Sequence, residues 1–102
     1  MTQFRVRFTA QGEEDLLRLY DYLLDFDIAT AERALSVIKD ALTLLEQFPF
    51  SCRKAGDGKY GPRLRELVIP FGATGYVALF EIDDATAVTV LAVRLQRESD
   101  YR

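Results

Sequence analysis

Polar and apolar residues alternate at the start of the chain. Phe4, Val6 and Phe8 fall on one side of an extended segment, and Gln3, Arg5 and Arg7 on the other. That spacing predicts a strand over residues 3–8 with one buried and one wet side. From residue 10 the period changes. Leu16, Leu19, Tyr20, Leu23 and Leu24 recur at helical spacing and make one apolar stripe. Thr9 is placed as the N-cap, Glu13, Glu14 and Asp15 suit the positive end of the helix dipole, and the helix should stop near Phe26. A second helix, capped by Asp27 or Thr30, runs to about Phe48 on Leu35, Ile38, Leu42 and Leu45. Ala31, Ala34 and Ala41 keep its flank slim, so the two helices can pack closely as an antiparallel hairpin, and Pro49 ends it.

The second half is written for strands. Residues 63–69, 76–82 and 87–95 are rich in β-branched and aromatic side chains, and turn-forming residues 70–75 and 83–85 separate them. Connections this short suit antiparallel neighbours, which predicts a three-stranded meander. Residues 50–62, with three glycines and a proline among charged side chains, read as an exposed loop. Those glycines do not form a phosphate-binding pattern and lead into a strand rather than a helix. The fold class expected is α+β: an N-terminal strand, a helical hairpin, then the meander as one sheet packed on the helices, in a single domain over 1–102.

Strict alternation along 87–95 sets Val88, Val90 and Ala92 on one face, and Thr89, Leu91, Val93 and Leu95 on the other. Both sets are largely apolar, and two helices can cover one face only. The expectation is that the chain's tail, a sister subunit or a different protein covers the second.

Composition narrows the chemistry. Among 102 residues there is no histidine, which removes the usual general base at neutral pH and the commonest metal ligand. Cys52 is the lone cysteine, so an internal disulfide, a cysteine–histidine zinc site and a His-activated nucleophile are all excluded. No metal or cofactor is expected. No apolar run approaches the roughly 20 residues of a membrane span, and the N-terminus lacks a signal-peptide core, so the cytoplasm is the expected location. Net charge is −3, unevenly spread. Residues 11–50 carry 9 acidic and 3 basic side chains, and residues 51–66 carry 5 basic and 2 acidic ones. A local basic patch on an acidic body is a weak sign of nucleic-acid binding.

Four pieces, in this order and spacing, resemble one family across nearly the whole chain. They are Pro49-Phe50-Ser51-Cys52-Arg53, Leu64-Arg65-Glu66-Leu67, Gly75-Tyr76, and the run from Val90 to Glu98. Together with the element order they resemble the RelE/ParE superfamily of toxins from bacterial type II toxin–antitoxin pairs. The resemblance implies one of two activities. ParE-like members poison DNA gyrase without evident chemistry of their own, whereas RelE-like members enter the ribosomal A site and cut mRNA. The long hairpin and the Pro49–Arg53 piece look more ParE-like. Val77 stands where RelE-like nucleases commonly carry Arg. Two departures cut across this: Arg97, Glu98 and Tyr101 resemble the RelE tail, and Leu95 stands where many ParE-like sequences carry His. A third class, a member that keeps antitoxin binding without toxicity, is also consistent with the resemblance.

Site residues follow from the same resemblance. Arg53, Arg63, Arg65, Arg94 and Arg97 are the expected target contacts, with Arg97 and Tyr101 catalytic only under the RelE-like reading. Without such a role, Arg65 and Glu66 would form a surface ion pair. The expected partner is a cognate antitoxin, a ribbon-helix-helix or similar DNA-binding protein whose disordered C-terminal segment folds on the toxin. Its apolar anchors are expected to meet Leu16, Leu19 and Leu23 in the groove of the helical hairpin.

Overall fold

The structure, a computed structural model, describes residues 3–96. Strand β1 (Arg5–Phe8) leads into helices α1 (Ala10–Leu24) and α2 (Ile28–Thr43). A short strand β2 (Arg53–Lys54) precedes β3 (Leu64–Ile69), β4 (Tyr76–Ile82) and β5 (Ala87–Leu95). The strands form one five-stranded sheet in the order β1-β5-β4-β3-β2. The meander is antiparallel as expected, but it is the middle of a larger sheet: β1 adds to β5 in parallel and β2 adds to β3. The segment read as loop thus contains a strand, because Arg53 and Lys54 find open partners in Glu66 and Arg65.

Both helices begin where their caps dictate. Thr9 Oγ1 accepts from Gly12 N at 3.0 Å, and Asp27 Oδ2 accepts from Thr30 N at 3.1 Å and from Thr30 Oγ1 at 2.7 Å. Such caps satisfy donors the helix cannot and contribute about 1 kcal/mol each. α2 ends at Thr43 rather than near Phe48; tighter 3₁₀ turns at Leu44–Glu46 and Pro49–Ser51 carry the chain around the sheet edge. The sheet's inner face and the helices bury one core. Leu19, Ile38, Leu42 and Leu45 meet Leu67, Ile69, Phe80 and Val90 there. Ala31 and Ala34 are the most buried residues of α2, which lets the helices close. Leu35, expected in that stripe, is 42% exposed.

One irregularity decides the sheet's two faces. Phe80 pairs with Val90 and Leu79 with Ala92, so Leu91 is skipped as a β-bulge. Beyond it the alternation inverts: Val88, Val90 and Val93 are all fully buried, and Leu95 pairs with core-facing Tyr76. The face away from the helices therefore receives Thr89, Ala92 and Arg94 from β5. Arg5, Arg7, Glu81, Glu66 and Arg53 join them there, as do the apolar Leu64, Val68, Val77, Leu79 and Ala87. This second face is therefore mixed, with apolar side chains among charged ones, and the correction is to which β5 residues it holds: strict period 2 could not anticipate the skipped residue.

Candidate functional site

The bulge is also where α1 is fastened. Asp15, fully buried, accepts from Val93 N at 2.9 Å, from Gln11 Nε2 at 2.8 Å and from Arg18 Nη1 at 3.0 Å. Burial acts to raise the Asp15 pKa, but the hydrogen bonds from Val93, Gln11 and Arg18 outweigh it and hold the carboxyl below its ordinary value. Beside it, Thr9 donates from Oγ1 to Leu91 O at 3.1 Å and from its backbone N to Val90 O at 3.0 Å. Gly12 is required by the same approach, because a Cβ there would sit 2.8 Å from Val90 O. The sequence assigns Asp15 only to the helix dipole; the third acid in a row after Glu13 and Glu14 carries no signal of a strand 78 residues away.

The basic segment is equally built. Arg65 lies on the core side of β3 and is 8% exposed. Its Nε donates to Pro62 O at 2.6 Å, and its Nη1 donates to Phe50 O at 3.1 Å and Cys52 O at 2.8 Å. The guanidinium also lies 5.4 Å from the centre of the Phe50 ring. The expected Arg65–Glu66 pair does not form, because consecutive strand residues point to opposite faces. Glu66 instead pairs across the strands with Arg53 Nε at 2.9 Å. Arg65 is thus committed to holding both ends of residues 50–62, and the guanidinium is not offered to a target.

The other basic positions are outward. Arg53 and Arg63 are exposed; Arg63 Nη1 donates to Asp83 O at 3.3 Å. Arg94 is exposed on the open sheet face, opposite Val77. Arg97 and Tyr101 lie outside the described residues. Cys52 is half-buried, and burial pushes its thiol pKa up while Arg65 pulls it down, which leaves the thiol a poor nucleophile. Among the described residues, no group of acids or cysteine is placed to hold a metal ion.

The three leucines expected as antitoxin contacts are divided. Leu19 belongs to the core, and Leu16 and Leu23 are half-buried against it. Between the helices these three, with Ala31, Ala34 and Ile38, leave a void of about 10 Å³, space for one water at most. The interhelical seam is therefore closed to a side-chain anchor. Two surface grooves lie beside it. One, of about 660 Å³, is lined by Phe8, Glu13, Leu16, Leu17, Tyr20 and Leu35. The other, of about 240 Å³, joins Leu19, Tyr22 and Leu23 to the β3–β4 turn and Leu95. Leu17, 64% exposed, falls off the core stripe and is not among the leucines that helical spacing singles out.

Comparison with known proteins bears on the family and the fold. The family of ParE toxins of type II toxin–antitoxin systems matches over residues 6–100. This chain belongs to the ParE toxin family. Among solved structures, it is similar to a chain of the chromosomal ParDE toxin–antitoxin system from P. aeruginosa, with a TM-score of 0.72 and 17% identity over 91% of this chain and 96% of that one. It is also similar to a chain of the RelBE2 toxin–antitoxin complex from Mycobacterium tuberculosis, with a TM-score of 0.60 and 24% identity over 92% and 99%. At such identities the likeness shows a shared RelE/ParE fold. Comparison with curated protein sequences finds no match. No helix among the described residues is long and apolar enough to cross a membrane.

Proposed function

We propose that this ParE-family chain is a toxin that poisons DNA gyrase and is neutralised by a cognate antitoxin. The observation that carries the reading is the ParE family match over residues 6–100. A second observation agrees with it. The position where RelE-like nucleases commonly present an arginine is occupied by Val77, 4% exposed in the centre of the sheet. Val77 sits beside Arg94 on the open sheet face, where an arginine would have been presented to a target, and its apolar side chain supports the ParE-like reading over the RelE-like one.

Under this reading the target meets the outward arginines, Arg53, Arg63 and Arg94, with Arg97 continuing the tail beyond Arg94. Arg65 acts indirectly, by fixing the segment that bears Arg53 and Arg63. The antitoxin, a DNA-binding protein of ribbon-helix-helix or similar type, folds a C-terminal segment onto the helical side. Its anchors fill the two grooves around Leu16, Leu17, Leu23 and Leu35 rather than the closed seam. A basic, apolar segment suits that side, because residues 11–50 carry a net charge of −6.

Induced expression in cells tests the reading. Replication should stall and a DNA-damage response should appear while mRNA stays intact, and co-expressed antitoxin should reverse both effects. Codon-positioned mRNA cleavage without DNA damage would refute it in favour of the ribosome-dependent nuclease.

A further inference from the structure

The loop between β2 and β3 carries an arrangement that neither the family match nor the core requires. Between residues 53 and 63 there are four basic side chains and one acid, Asp57, on a chain whose net charge is −3. Lys54 and Lys59 form no ion pair among the described residues, although acids are plentiful elsewhere. Tyr60 is 61% exposed, and Lys59 Nζ lies 5.2 Å from the centre of its ring. The ring rests against Gly56, where a Cβ would come within 2.7 Å of Tyr60 Cε2. The loop is held in shape at its base by the Arg65 guanidinium and by the pairing of Lys54 with Arg65 in the sheet.

Unpaired cations flanking an exposed aromatic ring on a fixed loop match what a single nucleic-acid strand needs. Phosphates are neutralised by Lys and Arg, with release of counterions, and an unstacked base lies on the ring. A duplex offers the phosphates but no free base face. We infer that Lys54, Lys59, Tyr60 and Arg63 form a contact surface for a single-stranded nucleic acid. This goes beyond the gyrase reading and is measured without gyrase or ribosome, so the two can fail independently.

The test is fluorescence anisotropy of short labelled DNA and RNA single strands, and of the corresponding DNA duplex, titrated at low salt with the purified full chain. Saturable binding of a single strand, tighter than the duplex, is expected. Its log–log dependence on salt should have a slope of about −2, from three cations at about −0.7 each. The double variant Lys54→Glu/Lys59→Glu should weaken binding by about tenfold or more. Tyr60→Ala should weaken single-strand binding by about fivefold or more and leave the duplex unaffected. The milder Lys59→Gln guards against misfolding and should weaken binding with an unchanged melting curve. No saturable binding at low salt would overturn the inference. So would variants that bind as the parent does, or a Tyr60→Ala effect equal on strand and duplex.

Discussion

Asp15 joins the first helix to the last strand through a single carboxylate. Its oxygens take the Val93 N–H, which lies past the end of the β1–β5 pairing at Phe8 and Val90, along with Gln11 and Arg18. Replacing it by Ala strands a buried N–H, so Asp15→Ala should cost about 1–3 kcal/mol in a denaturant or thermal melt. The pH dependence follows from the direction of its pKa. A carboxyl whose folded pKa is held below its ordinary value stabilises the protein above that value. The stabilisation is lost as pH falls through the folded pKa. Asp27 and Asp84 are also lowered, chiefly by hydrogen bonds from the side chains of Thr30 and Thr86. Stability should therefore fall below pH about 4, and the gap between parent and Asp15→Asn should narrow there. Unequal loss in the opposite direction, with the gap widening in acid, would contradict this role. Arg65 makes a second case. Three carbonyl acceptors need the fork of a guanidinium, so Arg65→Lys should not rescue Arg65→Ala, and both should expose residues 50–62 to limited proteolysis. Neither role was legible in the sequence, because each depends on carbonyls or an N–H brought near by the fold.

At the scale of elements the sequence was more informative. The alternation of Phe4, Val6 and Phe8, the caps at Thr9 and Asp27, and the bounds of β4 and β5 follow from short-range rules, and the structure places them there. What failed were features set by neighbours. β2 is two residues long and exists only because β3 offers it an edge. The parallel docking of β1 on β5 joins the two ends of the sequence and leaves no local trace. The bulge at Leu91 inverted half of β5, so that Val93 and Leu95 share the core face and Ala92 the open one. The β3–β4 turn is more tightly determined. Gly75 has φ 81° and a Cβ there would lie 2.6 Å from Ile69 O, so Gly75→Ala should destabilise by more than about 1 kcal/mol. A melting curve unchanged by that substitution would mean the turn can relax without disturbing the strands.

Over the whole molecule, charge and apolar exposure divide the surface into two unlike sides, which under the proposed function meet antitoxin and target. The helical side is acidic and bears the grooves around Leu17 and Leu35, while the outward arginines gather on the open sheet face and the loop at its edge. Leu17→Glu should therefore reduce antitoxin affinity by about tenfold or more in calorimetry, with an unchanged melting temperature. Leu19→Glu should instead prevent folding, because that side chain is in the core. The division of labour was visible in the sequence as a net −6 over residues 11–50 beside a net +3 over 51–66. Which leucines line a groove was not, since stripe position alone cannot tell a core leucine from one at a groove. The measurement that bears most directly on gyrase poisoning incubates the purified chain with gyrase, ATP and supercoiled plasmid. The plasmid is then treated with detergent and protease, and the linear fraction is read on a gel. Linear plasmid that rises with the concentration of the chain, and disappears when antitoxin is added, is the expected result. Intact plasmid at every concentration, with a defined mRNA cut on translating ribosomes by the same preparation, would contradict the account.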